Sequence, residues 1–292
     1  MIWLKAVPSF EVYTPSSLRE VISLYSRLDG DVVLYAGGTD LMPFMRRGKI
    51  RPRAVVDLSG VNELRYVKRE REIIRVGGLA TVHELANSPA IPRNYLSIRW
   101  LSKYFGAETT RHMATVGGNL ASGGERDIPA IMASLDGEVK IVGPEGERVA
   151  GPLELSLRRG EVVAEAVFRD WGPGSVSWFS KFEKRASNGI GVVTAAVSMK
   201  AVDGIVKKLR IVLNRVEGRQ MGRLTDLEDA LIGKAINPSL LREAVEESVS
   251  RIRPASDFRA SSSFRKHVSK VLLRRGLEFC WSYLMRGGFD ED

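Results

Sequence analysis

Leu34-Tyr35-Ala36-Gly37-Gly38-Thr39-Asp40-Leu41 is the stretch on which the reading of this chain turns. The apolar run over residues 32–36 predicts a short buried strand that feeds directly into two glycines. Glycine admits positive φ and lets the backbone approach a ligand closely. Successive amide N–H groups in such a turn form a nest for an anion such as a pyrophosphate. Thr39 adds a hydroxyl donor. No G-x-G-x-x-G opens a helix here, and no Gly-Lys-Ser/Thr occurs, so the Rossmann fingerprint and the Walker A loop are both absent.

A second stretch, Thr115-Val116-Gly117-Gly118-Asn119, repeats the logic with a hydroxyl, exposed amides and a side-chain amide. It lies within residues 106–126, which show no clear period and are expected to be a long loop. Long ordered loops in compact domains are often functional. Each turn alone reads as a plain loop. Together they point to one shared dinucleotide site. A third glycine pair starts at position 77, and the even spacing of 40 residues suggests a repeat. The flanking residues share little, so the spacing is read as coincidence.

Working outward, Ser17-Leu18-Arg19-Glu20 predicts a capping box at the start of a helix. A helical turn is expected over 41–46, a buried strand over 54–58 and a strand pair over 64–68 and 73–76. Thr81 caps a short helix, a further helix covers 95–105, and Asp127-Ile128-Pro129 opens another. Residues 138–146 suggest a hairpin. Later, strands over 192–202 and 205–213 are joined by Asp203-Gly204, a strong hairpin signal. Helices follow over 225–232, 238–252 and 263–285. Strands and helices segregate along the chain, so the class is α+β. Pro173-Gly174 is the expected boundary, giving domains 1–173 (subdomains about 1–58 and 59–173) and 174–292.

The chain has 292 residues, 44% apolar and 27% charged, as expected of a globular protein. No apolar run approaches a bilayer span of about 18 residues. No signal-peptide pattern opens the chain, so a cytoplasmic protein is expected. The single cysteine, Cys280, builds no metal cluster by itself and is read as a packed core thiol. His83, His112 and His267 have no metal-ligand spacing. The net charge is +9, and residues 251–275 carry eight Lys and Arg against Asp257 alone. A solvated helix face or a subunit interface accounts for this. No pattern for nucleic acid accompanies it. No Gly-x-Ser-x-Gly elbow occurs, and no residue is assigned a catalytic or metal-binding role. The chain reads as a holder of a cofactor that carries the chemistry.

Residues 35–41, then Gly77-Gly78-Leu79-Ala80-Thr81 with Glu84-Leu85, then Arg111-His112-Met113-Ala114-Thr115-Val116-Gly117-Gly118-Asn119-Leu120 resemble, in order, the FAD-binding medium subunit of molybdenum hydroxylases. That group includes carbon monoxide dehydrogenase, xanthine dehydrogenase and archaeal aldehyde oxidoreductases. Asp127-Ile128-Pro129-Ala130, the stretch with Phe179, Lys181 and Arg185, and residues 254–275 also fit. The resemblance implies an FAD domain of the vanillyl-alcohol-oxidase (PCMH) type in two subdomains, followed by a smaller α+β domain. By that likeness Leu34, Tyr35, Ala36, Gly37, Gly38, Thr39, Asp40 and Leu41 wrap the pyrophosphate. Thr115, Gly117, Gly118 and Asn119 line the ribityl and flavin side, with Phe105 and Thr110 at contact positions. Asp127 would hold a polar group of the cofactor, and Lys181 would lie near the flavin.

The resemblance further implies electron transfer within a heterotrimer, or a dimer of heterotrimers. A large subunit would hold the molybdenum cofactor and a small one the 2Fe-2S clusters. The departures are Thr109 where Gln is common, a gap between Asn119 and Asp127 shorter by one, and Gly189 and Gly191 where Asp and Ala are common. A stand-alone flavin oxidoreductase of the same fold is the alternative. A non-enzymatic assembly or nucleic-acid-binding protein would have only the basic stretch in its favour.

Overall fold

The computed structural model describes residues 7–185, 189 and 191–287. The first unit contains β1 (Glu11–Tyr13), α1 (Leu18–Arg27), β2 (Val32–Tyr35), α2 (Leu41–Arg46) and β3 (Ala54–Asp57). Its strands form a parallel sheet in the order β1-β3-β2, with Leu34 opposite Val56. The central strand, Ala-Val-Val-Asp, is almost wholly apolar because elements cover both its faces. Ser17 caps α1 by accepting from the Glu20 amide at 3.2 Å. The Glu20 carboxylate returns to the amide of Ser16 and not to that of Ser17, so the predicted box is displaced by one residue.

The second unit begins with β4 (Val67–Glu70) and β5 (Ile73–Gly77). Its helices are α3 (Val82–Asn87), α4 (Leu96–Arg99), α5 (Leu101–Tyr104), α6 (Glu108–Met113), α7 (Val116–Ala121) and α8 (Asp127–Ser134). It ends with β6 (Glu138–Gly143), β7 (Gly146–Ala150) and β8 (Val162–Arg169). The antiparallel sheet runs β4-β5-β8-β6-β7. β8 joins the units: Val162 and Ala164 pack on the first and Val163 on the second, and past a bulge the parity flips so that Ala166 and Phe168 also pack on the second. A bulge between β6 and β8 displaces the register near Ala164, whose carbonyl takes the Gly78 amide at 2.8 Å.

The third unit holds β9 (Ser175–Phe182), β10 (Val193–Val202), β11 (Ile205–Gly218), β12 (Gln220–Arg223), α9 (Thr225–Leu231), α10 (Pro238–Arg251), β13 (Arg253–Pro254) and α11 (Ser262–Met285). The sheet order is β12-β11-β10-β9. One face packs on α10 and α11 through Val197, Leu213 and Leu273; the other, through Phe179, Ala196 and Val212, joins the core of the second unit. Asp203 and Gly204 both adopt positive φ, 52° and 71°, and close the expected hairpin. The mixed helix and strand content is the α+β class expected.

Three further expectations are corrected. The strand expected over 64–68 is β4, with Leu64 closing a single 3-10 turn before it. The single helix over 95–105 is two short helices broken at Trp100. Residues 106–126 are not one long loop but contain α6 and α7. Glycines and threonines there have low helix propensity, and tertiary contacts override it. Among the described residues no helix is long and apolar enough to cross a membrane.

Candidate functional site

A cavity of about 460 Å³ opens where the three units meet. That volume lies in the usual range for a small-molecule or cofactor site. Every residue singled out from the sequence lines it except Tyr35. Tyr35 stands behind the first turn, its ring 2.5 Å from where a Cβ on Gly38 would fall.

The first turn leaves β2 and enters α2. Gly38 adopts φ +65°, which glycine alone takes without cost. Gly37 has no room for a side chain, since a Cβ would lie 1.8 Å from the Met113 carbonyl oxygen. The backbone of the first unit therefore lies directly on the end of α6. Among the described residues the amides of Gly37, Gly38, Thr39 and Asp40 have no protein acceptor. Four consecutive unpaired donors in a glycine turn are the arrangement an anionic ligand satisfies.

The second turn works differently from expectation. Thr115 caps α7 by accepting from the Gly118 amide at 3.1 Å. The Gly117 amide donates to Gly78 at 2.8 Å. These amides are already used, so the second turn is not a nest. Its glycines serve close approach: a Cβ on Gly117 would lie 2.7 Å from the Gly78 oxygen. Asn119 is also occupied, accepting from the Ile128 amide at 3.2 Å and tying α7 to the start of α8. Each of the three glycine pairs whose spacing reads as coincidence in the sequence brings at least one glycine to this cavity: Gly37 and Gly38, Gly78, and Gly117 and Gly118. They sit in unlike elements, so the spacing is no structural repeat. Gly78 of the middle pair is nevertheless part of the site, and it is not among the contact residues expected from the sequence.

Opposite the first turn, Lys181 on β9 donates to Asp127 on α8 at 2.8 Å. Its ammonium is also 2.8 Å from Glu183 Oε1, though off the hydrogen-bonding direction, so that buried oxygen keeps an unfilled acceptor site. All three side chains are nearly sealed from water, with Lys181 only 5% exposed. Burial pushes Asp127 above the usual carboxylate range despite the adjacent ammonium. Burial also works against the charge on Lys181, but Asp127 and Glu183 outweigh it and raise its pKa. Glu183 was not foreseen. Its signal is the alternation of β9 carried one residue past Phe182, which puts residues 181 and 183 on one face.

Salt bridges close the rim. Asp40, from the first turn, accepts from Ser122 at 2.9 Å and pairs with Arg126 at 3.1 Å. Glu125, also on the rim, is gripped by Arg215 and Arg259. Arg215 is buried at φ 59°, a left-handed conformation that costs a non-glycine residue about 1–3 kcal/mol. Its bonds to Glu125 and Asp257 hold it there. Glu161 also lines the cavity, and the Arg148 guanidinium lowers its pKa to about 2. His83 and His112 stack at 3.8 Å outside the cavity, so His112 is not among the lining groups. Cys280 is fully buried, as expected of a packed thiol.

The site suits a ligand with an anionic group. It offers a nest of free amides, a wall that includes Gly78, Gly117 and Gly118, and a buried ion triad whose Lys181 and Asp127 line it.

Residues 8–158 match the family described as the FAD binding domain in molybdopterin dehydrogenase. Residues 178–279 match the CO dehydrogenase flavoprotein C-terminal domain. The chain is 25% identical to the carbon monoxide dehydrogenase medium chain of Hydrogenophaga pseudoflava, over 94% of this chain and 98% of that one. It is 24% identical to the glyceraldehyde dehydrogenase medium chain of Sulfolobus acidocaldarius, over 93% and 98%. Among solved structures, a chain of the H. pseudoflava carbon monoxide dehydrogenase superposes with a TM-score of 0.89 at 25% identity, covering 95% of this chain and 99% of that one. A chain of quinoline 2-oxidoreductase from Pseudomonas putida 86 gives 0.88 at 25% identity, covering 96% and 99%.

Proposed function

The chain belongs to the FAD-binding family of molybdopterin dehydrogenases, and on that premise we propose that it is the FAD-carrying electron-transfer subunit of a heterotrimeric molybdenum-dependent oxidoreductase. The observation that carries the reading is the row of unpaired amides at 37–40, facing across one cavity from the Lys181–Asp127 pair. Leu34, Ala36 and the turn through Leu41 would hold the pyrophosphate, with Tyr35 buttressing the turn from behind. Thr115, Gly117, Gly118, Asn119, Phe105 and Thr110 would form the wall along the ribityl chain and ring. Asp127 and Lys181 would meet the polar edge.

Bound FAD supplies the exchange of one or two electrons that no side chain here provides. The chain's own residues bind, orient and exclude water. Arg126 neutralises Asp40, which would otherwise repel an anion held by the neighbouring amides. With both carboxylates ionised the Lys181 triad carries one net negative charge. The lysine therefore offsets the carboxylates more than it offers a free cation, and the local field depends on the Asp127 proton.

In this reading a large subunit oxidises the substrate at a molybdenum cofactor. A small subunit relays electrons through 2Fe-2S clusters, and an external acceptor takes them from this chain. Such a chain needs no acid–base triad of its own. Purification of the tagged chain from its natural source tests the assignment. FAD, iron and molybdenum should travel together, in constant ratio, through successive columns. A yellow chain that oxidises substrate unaided, without iron or molybdenum, would instead favour the stand-alone oxidoreductase.

A further inference from the structure

Alternation along β9 links the cavity to an outer surface. Phe179 and Lys181 face the second unit and the cavity. Trp178 and Phe182 face α11, and the Phe182 ring meets that of Phe264 at 5.6 Å. Just past the strand, Lys184 donates to the Phe258 carbonyl at 3.1 Å. Phe258 is 92% exposed, while Phe182 and Phe264 are 40% and 42% exposed.

Phe258 does not sit on a slack loop. Asp257 Oδ1 accepts from the amides of Arg259 and Ala260, and Asp257 and Ala260 exchange backbone bonds at 3.1 and 3.2 Å. Beneath this turn Arg215, Arg259 and Arg265 all converge on the Asp257 carboxylate. The same brace reaches the cavity, since Arg259 donates to Gly191 at 3.4 Å and to Glu125 at 2.9 Å, and both line it. The exposed ring is thus presented rigidly, next to Arg259, whose guanidinium bonds the rim residues Gly191 and Glu125. Pre-organised aromatic anchors of this kind carry much of the energy of protein interfaces.

We propose that Phe258, with Phe182 and Phe264 beside it, anchors the docking surface for the iron–sulfur subunit. This rests on the subunit reading above. Two observations select that occupant. The patch adjoins the rim of the cavity, where an electron donor has to approach. The exposed Lys184 and Arg185 make its border basic, in a chain of net charge +9, which calls for an acidic partner face. A second copy of this chain would set like charges against each other.

The test uses the tagged full chain, purified from its natural host with its subunits, as wild type and as Phe258→Asp and Phe258→Tyr. FAD per chain, iron per FAD, melting temperature and oligomeric size are measured for each. Phe258→Asp should keep one FAD per chain and the wild-type melting temperature while iron per FAD falls at least tenfold. Phe258→Tyr should retain iron within twofold. Unchanged iron per FAD in Phe258→Asp overturns the assignment. So does a variant whose only change is loss of a dimer of this chain, which would make a second copy the occupant. A wild-type chain with FAD but no iron contradicts the subunit reading itself, and the docking surface with it.

Discussion

The Lys181 ammonium lies 2.8 Å from the Asp127 carboxylate, joining the third unit to the second across the wall of the cavity. Removing either charge should move the midpoint potential of bound flavin, in opposite directions. Lys181→Met removes a cation, disfavours added electrons and lowers the potential. Asp127→Asn removes an anion and raises it. Shifts of about 30–60 mV are expected, since 30 mV corresponds to about 1.4 kcal/mol for a two-electron couple. Spectroelectrochemical titration of the two variants decides the matter. Shifts of the same sign, or none, would place the pair away from the flavin.

Lys181→Met also strands two buried carboxylates. Breaking a buried pair costs about 3–5 kcal/mol, because the remaining charge has lost its partner. Denaturant unfolding should show that loss at neutral pH, and Asp127→Asn in the same background should recover part of it. No recovery would mean that the cost arises from packing and not from charge.

Gly37→Ala should destabilise the fold by about 3 kcal/mol or more and abolish FAD binding. Its Cβ would lie 1.8 Å from a backbone oxygen, so no side-chain rotation relieves it. Gly124 makes a useful control: it has φ +69°, and a Cβ added there would meet nothing within 4 Å. Gly124→Ala should cost about 1–2 kcal/mol of backbone strain and leave FAD binding intact. Normal FAD uptake by Gly37→Ala would show that the first turn need not lie close on α6.

The Arg148–Glu161 pair gives a pH signature. Arg148 holds the Glu161 pKa at about 2 in the folded chain, below its usual value of 4.5. A folded pKa below the unfolded one stabilises the protein above the unfolded value, and the effect is lost as pH falls through the folded one. Arg148→Gln should therefore melt lower than wild type at pH 7, with the two melting curves converging as pH drops from about 4.5 towards 2. A gap that persists unchanged to acid would assign the effect to lost packing of the arginine stem.

Cys280 should be inert in the native state. Burial raises its thiol pKa far above neutral, and the side chain is sealed between α11 and β10. A thiol reagent should label almost none of the folded chain and one thiol per chain in denaturant. Rapid native labelling would mean that this face opens.

Much of the site was legible in the sequence because glycine, threonine and apolar residues at a strand end constrain the backbone locally. The turn at 37–40 is of that kind; the cap at Thr115 is not, since that stretch reads as a loop with exposed amides and is a helix start. Gly78 was not legible. It is required by a carbonyl on β8, where a Cβ would come within 2.0 Å of Val163, and that contact crosses 85 residues of chain. Glu183 and the arginines around Asp257 likewise matter through partners distant in sequence. The basic stretch at 251–275 read as a solvated face or an interface, yet Arg265 is buried and spends its charge on Asp257. The helices within 106–126 were missed because packing against α3 and β8, not local propensity, holds them.

The most direct measurement is the flavin content of the wild-type chain, taken from its visible absorbance against protein concentration after incubation with excess FAD and gel filtration. The expected result is one FAD per chain, and near zero for Gly37→Ala. A correctly folded wild-type chain that stays colourless would contradict it.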